Sequence, residues 1–286
     1  MRVLVTGANG MLAKEVISVF SGHDLIKTDI AGDGIERLDI TRPGDVTAFV
    51  SVKSPDVIIN CAAYTAVDKA EEETGLCRAI NTGGSVNLAA AAKARGIPLV
   101  HISTDYVFDG EKPLDEVYTE EDNTNPQSVY GLTKRDGEHG IIAQGGDYWI
   151  LRTSWLYGDG GNFVRTMLKL GSEKDELNVV ADQFGSPTYS ADLACIIKQV
   201  IDKKADYGVY HANNLGFTSW YEFTKQIFYM AGLNCKVNPV TTEEFPRPAK
   251  RPKNSKLSKD KLLNAGIKIP EYTDALSRYL ERELLL

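Results

Sequence analysis

The segment "SVYGLTKRDGEHG" holds a tyrosine and a lysine four residues apart, Tyr130 and Lys134. A phenol can transfer a proton, and an ammonium beside it can supply positive charge. On a helix that spacing puts the phenol and the ammonium on one face, about one turn apart. The pair Asn125-Pro126 precedes them, and proline is favoured in the first helical turn. The spacing therefore predicts a helix over 126–145 with both side chains near its start. Without further partners the two would be an ordinary solvated pair.

A hydroxyl group can complete this pair. Thr104 ends the strand-like segment "PLVHIST", 26 residues before Tyr130. A hydroxyl, a phenol and an ammonium that converge on one point can assist reduction of a carbonyl. Tyr130 would protonate the developing alkoxide, Thr104 would hydrogen-bond the same oxygen, and Lys134 would supply positive charge and hold a nicotinamide ribose. Because free tyrosine has a pKa of about 10, it needs this help near neutral pH. We predict these three residues as catalytic.

The elements that must position these groups alternate between strand and helix patterns. Apolar or β-rich runs predict five strands, "RVLVT", "DLIKTD", "PDVIIN", "PLVHIST" and "YWILRTS". Between them lie predicted helices over 10–21, 43–53, about 68–95 and 126–145. This order predicts an α/β fold with a Rossmann-type doubly wound parallel sheet, in which ligands bind beyond the carboxyl ends of the strands.

The second half of the chain is richer in Gly, Pro and polar loops, with predicted helices over 160–171, 191–203 and 219–231. These patterns predict a smaller, loop-rich C-terminal substrate lobe packed over the carboxyl edge of the sheet. We predict the dinucleotide-binding domain over 1–155, rejoined by about 180–213. The substrate-binding lobe then comprises 156–179 and 214–286.

The first strand-to-helix turn predicts a dinucleotide site. In "VLVTGANGMLAKEV", small residues at Gly7, Gly10 and Ala13 let the backbone approach a pyrophosphate at a helix N-terminus. The alternative is a tight strand-to-helix turn that binds no ligand. Asp29 ends the second strand, where a carboxylate can bind the adenosine ribose and repel a 2′-phosphate. The predicted cofactor contacts are Gly7, Asn9, Gly10, Met11, Leu12, Asp29, Asp39, Ile40, Cys61, Ala62, Ala63, Tyr64, Tyr130 and Lys134.

The predicted cofactor is NADH or NADPH. Asp29 favours NADH, whereas the nearby Lys27 and Thr28 could tolerate a 2′-phosphate, so use of both cofactors stays open.

Eight segments carry a resemblance to a known family: "TGANGML", "LDIT", "NCAAYTAVDKAE", "STDYVFDG", "YGLTK", "RTSWLYG", "DQFGSPTY" and "AKRPKNSKL". Through them nearly the whole chain resembles the extended short-chain dehydrogenases/reductases, most closely the dTDP-4-dehydrorhamnose reductase family. The resemblance implies NAD(P)H-dependent reduction of the C4 ketone of dTDP-4-dehydro-L-rhamnose, the last step of dTDP-rhamnose biosynthesis, which serves cell-wall polysaccharides. It also implies the Thr104, Tyr130 and Lys134 triad.

The resemblance further implies roles at the substrate. Thr65, Val67 and Asp68 match residues that line the sugar and nucleotide site, and Trp155 matches an aromatic that packs on the deoxysugar; filling the core is its bland alternative. Thr104 and Asp105 also belong to the predicted substrate contacts. Related 4,6-dehydratases carry Asp-Glu after the threonine, and Tyr106 replaces that glutamate here, which disfavours dehydration.

The predicted substrate end is basic in an otherwise acidic chain. The segment 247–261 holds seven Lys or Arg residues, although the net charge of the chain is −7. We predict Arg251 as a bidentate diphosphate ligand, with Asn254 and Ser255 as polar helpers. Gln183 and Thr188 are predicted near the junction of cofactor and sugar. For the outer lysines a solvated loop is the better interpretation, and the lack of interleaved aromatic residues disfavours nucleic-acid binding.

Composition narrows the class further. Hydrophobic residues make up 43% of the chain, its four cysteines form no CxxC pair and its four histidines are scattered. These features predict a reduced, cytoplasmic protein without a histidine-built metal site, and no apolar run reaches the ~20 residues of a membrane span. Some family members dimerise through Mg²⁺ held by acidic side chains, for which Glu15 and Asp192 are the candidates. A homodimer therefore stays open.

Two alternatives to the implied reaction remain. Another nucleotide-sugar 4-ketoreductase, for example one that makes a 6-deoxytalose, differs only in the face of the ketone that receives hydride. A non-catalytic regulatory subunit of methionine adenosyltransferase also resembles this family. The intact Thr104, Tyr130 and Lys134 set favours an enzyme.

Overall fold

The computed structural model describes residues 1–284. Its strands are β1 (Arg2–Thr6), β2 (Asp24–Asp29), β3 (Glu36–Arg37), β4 (Val57–Asn60), β5 (Leu99–Thr104), β6 (Tyr148–Thr153), β7 (Leu156–Tyr157), β8 (Glu176–Val180), β9 (Phe184–Gly185), β10 (Thr188–Tyr189), β11 (Gly208–His211), β12 (Thr218–Ser219) and β13 (Lys236–Val240).

Its α-helices are α1 (Met11–Val19), α2 (Pro43–Lys53), α3 (Val67–Ala70), α4 (Thr74–Arg78), α5 (Ser85–Arg95), α6 (Val129–Gln144), α7 (Phe163–Glu173), α8 (Ser190–Asp202), α9 (Trp220–Ala231), α10 (Asp260–Asn264) and α11 (Tyr272–Leu284). A π-helical turn, Ala79–Gly84, joins α4 to α5, and a 3₁₀ turn, Asp105–Val107, follows β5. No helix within residues 1–284 has the length and apolarity that a bilayer span requires.

A seven-stranded parallel sheet forms the centre of the fold, in the order β11-β6-β5-β4-β1-β2-β3. The strand order runs outward in opposite directions from β1 and β4. Such a switch point opens a crevice beyond the carboxyl ends of the two strands. The predicted doubly wound α/β sheet is confirmed, and the site must be sought at this crevice.

Helices cover both faces of the sheet and bury its apolar strands. On one face α1 and α8 contribute Leu12, Val16, Leu193 and Ile197 to a core that includes β1 and β4. On the other face α2 and α5 pack on the same strands through their own apolar side chains, such as Val50. Each fully buried side chain of this kind contributes roughly 1.5–3 kcal/mol. The sheet is therefore a rigid platform for its carboxyl edge.

Several predicted elements are confirmed and others need correction. All five predicted strands are present, as β1, β2, β4, β5 and β6. The predicted helix over 68–95 is wrong as one helix, because it is broken between α3 and α4. From Thr74 to Arg95 it is continuous, but it widens into a π-helical turn that holds Gly83 and Gly84. Glycine is a weak helix former, and a Cβ at Gly84 would lie 2.4 Å from the Ile40 side chain.

The predicted helix over 126–145 begins three residues later than expected. Its N-cap is Ser128, whose hydroxyl accepts the Gly131 N–H. The cap satisfies an amide that the helix leaves unpaired, so Pro126 precedes the helix rather than opening it.

A second core lies in the C-terminal part of the chain. Here α7, α9 and α11 bury an apolar cluster that includes Met167, Phe223, Ile227 and Leu276. The strands β8 and β13 pair beside it, and neither these strands nor α11 were predicted. The unpredicted β11 returns to the central sheet as the neighbour of β6. In a segment of four residues, periodicity does not distinguish a strand from a loop.

Candidate active site

Three adjoining cavities follow the carboxyl edge of the sheet. The glycine cavity (about 370 Å³) lies at the turn after β1, the central cavity (about 510 Å³) at the ends of β4 and β5, and the outer cavity (about 490 Å³) between the sheet and the second core. Gly10 and Ala62 line both the glycine and the central cavities, and Tyr106 and Trp155 line both the central and the outer cavities. A long ligand could span all three.

The turn after β1 requires glycine for two separate reasons. Gly7 has φ +67°, a left-handed conformation that side chains disfavour. A Cβ at Gly7 would also lie 2.7 Å from the Ala62 backbone, so the turn and the segment after β4 pack too closely to admit a side chain. The Asn9 N–H donates to the Asp29 carboxylate (3.1 Å), which fastens the turn to the end of β2. This cradle, which a Cβ would fill, has the form that a dinucleotide phosphate needs.

Most predicted cofactor residues are brought together by the fold. The glycine cavity is lined by Gly7, Gly10, Asp29, Asp39, Ile40, Cys61, Ala62 and Ala63. Met11, Leu12, Tyr130 and Lys134 line the central cavity. Asn9 and Tyr64 line neither: Asn9 ties down the turn, and the Tyr64 hydroxyl donates to Glu73 (2.6 Å).

The predicted catalytic residues meet in the central cavity. Thr104 ends β5, and Tyr130 and Lys134 lie on the first turns of α6, which packs beside that strand. A Cβ at position 131 would lie 2.2 Å from the Tyr106 carbonyl oxygen, so Gly131 lets the start of α6 approach the turn after β5. The ring of Tyr130 contacts Tyr106 edge to face at 5.5 Å.

Burial changes the proton affinity of these groups. It raises the pKa of the Tyr130 phenol above its usual value, while the Thr104 hydroxyl opposes that rise. Burial also lowers the pKa of the Lys134 amine to about 8. Both shifts have the same cause, since each side chain would carry its charge in a site with little water.

Thr104 is held by its neighbours. Its hydroxyl donates to the Asp105 carboxylate (2.9 Å) and accepts the Tyr106 N–H (3.2 Å). The Ser255 hydroxyl donates to the same carboxylate. Burial raises the pKa of Asp105 to about 6, although both hydroxyls oppose the shift. Asp105 therefore joins the end of β5 to the basic C-terminal segment.

The outer cavity has an aromatic wall. Trp155 stacks on Trp220 with ring centroids 3.6 Å apart, and its φ of +49° is unusual for a bulky residue. The backbone around it is fixed by a hydrogen bond from the Thr188 N–H to the Trp155 carbonyl (3.1 Å) and by the Ser154 hydroxyl, which donates to the Ser186 carbonyl. The strained conformation is thus held by its surroundings.

Arg251 reaches the outer cavity and is already paired. Its guanidinium donates to both oxygens of Asp68 (2.8 Å each) and to the Tyr106 hydroxyl (3.1 Å). The predicted substrate residues Asp68, Trp155 and Arg251 line this cavity, whereas Thr65, Val67, Thr104 and Asp105 line the central one.

The predicted polar helpers have other neighbours. Asn254 donates to the carbonyls of Lys112, Pro113 and Glu116, and therefore anchors its loop. Ser255 bonds Asp105, and Thr188 lies near the hydroxyl of Thr153 in the protein interior. Gln183 alone of the four lines the outer cavity.

Other residues that line the outer cavity were missed from the sequence: Phe163, Thr166, Met167, Leu170, Asn178, Val179, Val180, Trp220, Phe245, Arg247 and Pro252. Tyr106 was interpreted only as a replacement for glutamate. Trp220 begins α9 and looks like an ordinary core residue in a helix. The cluster of Phe245, Arg247 and Arg251 before the predicted Asn254 was the one available signal.

The candidate Mg²⁺ ligands do not fit a cation in this chain. Asp192 accepts two bonds from Arg278 (2.9 and 2.8 Å) and one from Asn214, and Glu15 accepts one from Arg282 (2.7 Å). Both carboxylates are buried. Within residues 1–284 no group of three or more His, Cys, Asp or Glu residues is arranged to hold a metal. Arginine side chains from α11 already pair with both carboxylates.

The comparison with known proteins agrees with this geometry. The family described as "RmlD substrate binding domain" matches residues 1–285. A dTDP-4-dehydrorhamnose reductase of Sinorhizobium fredii is 40% identical, over 100% of this chain and 98% of its own. Among solved structures, a dTDP-4-dehydrorhamnose reductase of Clostridium acetobutylicum is 48% identical with a TM-score of 0.94, covering 99% of this chain and 100% of its own.

A second solved structure adds a cofactor. The dTDP-4-dehydrorhamnose reductase of Bacillus anthracis, in complex with NADP, is 43% identical with a TM-score of 0.92, over 98% of this chain and 99% of its own. The fold and site define a short-chain dehydrogenase/reductase-like α/β protein with a Thr-Tyr-Lys constellation. Within that class, the chain belongs to the RmlD substrate binding domain family.

Proposed function

We propose that this protein reduces the C4 ketone of dTDP-4-dehydro-L-rhamnose to dTDP-L-rhamnose, using NADH or NADPH, in the last step of dTDP-rhamnose biosynthesis. The observation that carries the proposal is the central cavity, where Thr104, Tyr130 and Lys134 face one space. That cavity adjoins a glycine cradle on one side and an aromatic, arginine-containing cavity on the other.

The cofactor half is proposed for the glycine and central cavities. Gly7 and Gly10 would receive the pyrophosphate, Asp29 the adenosine ribose and Lys134 the nicotinamide ribose. NADH or NADPH bound there supplies the hydride. The match to a relative in complex with NADP supports the use of a nicotinamide dinucleotide.

Tyr130 is the proposed general acid. Because burial raises the pKa of its phenol, Tyr130 keeps its proton throughout the neutral range. It gives up that proton only as negative charge develops on the substrate oxygen, and a positive charge on Lys134 one turn away stabilises the phenolate that remains. Thr104 lines the same cavity and can turn its hydroxyl from Asp105 to the same oxygen.

Arg251 and Trp155 are the proposed substrate contacts. Trp155 offers a flat apolar face at the boundary between the central and outer cavities, where the sugar would lie. Arg251 offers a planar set of donors whose geometry suits a diphosphate. Asp68, which lines the same cavity, holds that guanidinium in place.

The test is oxidation of NADH and NADPH, followed by the nicotinamide absorbance, with enzymatically prepared dTDP-4-dehydro-L-rhamnose. Tyr130→Phe runs beside the wild type, and NMR identifies the product sugar. We expect L-rhamnose from the wild type and almost no turnover from the variant. A 6-deoxytalose product would support a different 4-ketoreductase. Folded, cofactor-bound protein without turnover on this ketosugar would overturn the proposal and favour the binding-subunit alternative.

We also propose that the protein works in the cytoplasm, where its substrate and reduced cofactor would be available. The separated cysteines, all free among the described residues, support this proposal. A homodimer remains an open expectation, which sedimentation of the purified protein would decide.

A further inference from the structure

A buried amide at the end of β4 has a fixed orientation. The oxygen of Asn60 accepts the Thr6 hydroxyl (2.7 Å) and the Ala62 N–H (3.1 Å). A backbone N–H can only donate, so the oxygen must face Ala62. The NH₂ group of Asn60 therefore faces the Nδ1 atom of His101, 3.0 Å away. Asn60 and His101 are both shielded from solvent, at 1% and 0% exposure.

The orientation of the Asn60 amide determines which ring nitrogen of His101 carries the proton. Because the Asn60 NH₂ group donates, His101 Nδ1 must offer a lone pair. Burial lowers the pKa of His101 well below its usual value, with a smaller contribution from the Lys134 charge, so the ring is neutral. A neutral imidazole carries one proton, which must then be on Nε2.

The protonated nitrogen faces the predicted catalytic lysine. His101 Nε2 lies 3.2 Å from Lys134 Nζ, and Lys134 also donates to the Ile102 carbonyl. An ammonium group has no lone pair, so two donors would confront each other if Lys134 were charged in this position. A neutral amine accepts from Nε2–H and still donates to Ile102. The contact is satisfied by only one of the two protonation states.

We propose that His101 is a positioning residue that holds the neutral amine of Lys134 and releases it when the amine gains a proton. The charged amine must leave Nε2–H and turn toward other acceptors, and Lys134 already lines the central cavity. The position of the Lys134 side chain thus depends on whether its amine is neutral or protonated. The inference rests on the proposed function only in assigning Lys134 a role in the reaction.

The remaining groups around Lys134 do not replace this contact. Glu138, one turn further along α6, favours the charged amine but is held by Arg152 and Ser103. The thiols of Cys77 from α4 and Cys61 after β4 contribute smaller effects.

Of these groups, His101 is the hydrogen-bond partner of the amine. The Tyr130 phenol lies one turn before Lys134 on α6. Burial lowers the pKa of Lys134 to about 8, which keeps both protonation states accessible near neutral pH.

The first test reads the proton positions directly in the unliganded full-length protein. Long-range ¹H–¹⁵N NMR of histidine-labelled protein distinguishes a protonated ring nitrogen from one with a lone pair. We expect His101 to show a protonated Nε2 and an unprotonated Nδ1 at neutral pH. A proton on Nδ1, or on both nitrogens, would overturn the inference, and this measurement needs no variant that has to fold.

The second test follows Lys134 in ¹³Cε-lysine-labelled protein, with the resonance assigned through Lys134→Arg. In His101→Gln an amide oxygen can reach the position of Nε2 and accept from the ammonium. We expect the titration midpoint of Lys134 to move up by about one pH unit, a tenfold change in proton affinity. His139→Gln is the matched control: His139 lies on the exposed side of α6, the helix that carries Lys134, and its replacement should leave the Lys134 midpoint unchanged.

An unchanged Lys134 midpoint in folded His101→Gln would contradict the inference. Neither NMR measurement requires turnover, so the two proposals can fail separately. The expected NMR result from a protein that does not reduce the ketosugar would count against the proposed function alone.

Discussion

The two ends of the candidate site are built in different ways. The glycine cavity is formed by backbone and small side chains at consecutive strand ends, such as Gly7, Gly10, Ala62 and Ala63. The outer cavity is formed by large side chains from distant parts of the chain, and the Asp68–Arg251 pair joins residues 183 positions apart. The first end depends on close backbone approach, and the second depends on ion pairs and ring stacking.

Because of this difference, the two ends of the site should tolerate different substitutions. A backbone cradle has no alternative conformation for a substituted residue, because the neighbouring main chain cannot move aside. A side-chain wall can repack, so substitutions there should change affinity for one ligand and leave the fold intact. Four variants test this contrast, together with the chemistry between the two ends.

The largest effect is expected at the junction of the two ends. Tyr130→Phe removes the proposed general acid and should lower kcat by about 10²–10⁴-fold. Its ring remains, so the NADH dissociation constant should change little. Stopped-flow turnover and NADH fluorescence titration measure the two quantities. Tyr64→Phe is the control, because that hydroxyl bonds Glu73 away from the cavities, and equal losses in both variants would remove Tyr130 from the mechanism.

Gly7→Ala should damage the cofactor end severely. Alanine at φ +67° costs about 1–2 kcal/mol, and its Cβ would meet the Ala62 backbone, which adds about 1–3 kcal/mol. Urea unfolding and NADH titration measure the losses. Gly34→Ala is a matched control, since Gly34 has φ +68° but open space around it. If the two variants lose equal stability and NADH affinity, close backbone approach is not what makes Gly7 necessary.

Asp105→Asn should change how stability depends on pH. Burial raises the pKa of Asp105 from 3.8 to about 6, so the folded protein binds this proton more tightly than the unfolded chain does. The resulting stabilisation is complete at pH values below the pKa of Asp105 in the unfolded chain. It is lost as the pH rises through about 6, the pKa in the folded protein. Between about pH 4 and pH 7 the wild type should therefore lose about 2 kcal/mol relative to the variant.

Urea unfolding at several pH values measures this slope. Asp33→Asn, in an exposed loop, serves as the control and should follow the wild type. Parallel curves for the wild type and Asp105→Asn would show that Asp105 does not titrate in this range.

The smallest effect is expected at the substrate end. Arg251→Lys keeps the charge but loses the planar pair of donors, so the KM for the nucleotide sugar should rise about tenfold while NADH affinity stays unchanged. Stability should fall by about 1 kcal/mol at most, because the pair with Asp68 is partly exposed. Steady-state kinetics measure the change. Lys253→Met, an exposed charge in the same segment, is the control. An equal rise in both variants would show that general positive charge, and not guanidinium geometry, is what the segment provides.

The sequence predicted more of the central sheet than of the C-terminal part. The strands β1, β2, β4, β5 and β6 each carry an apolar or β-rich pattern, because both faces of the sheet are buried. The strands β8 and β13 and the helix α11 were missed. The first two strands are partly exposed and carry polar or charged residues among their apolar ones, so they lack a continuous apolar run. The helix α11 is mostly polar, and its apolar residues form one narrow stripe, Ala275, Leu276, Tyr279 and Leu280, that packs on the second core.

The same division holds within the site. Tyr130 and Lys134 are related by one helical turn, and Gly7 and Gly10 by one loop, so their spacing in the sequence already fixes their spacing in the structure. That is why spacing pointed to the Tyr130 and Lys134 pair and to a dinucleotide turn. Thr104, 26 residues before Tyr130, joins the pair only because α6 packs beside β5.

Only the tertiary structure decided the contacts between distant segments. It placed Trp220 on Trp155, Arg278 and Arg282 on the two carboxylates predicted to hold Mg²⁺, and His101 between Asn60 and Lys134. The physical reason is the same in each case. Such contacts follow from how separate elements pack, and a buried donor or acceptor takes whichever partner that packing brings within reach.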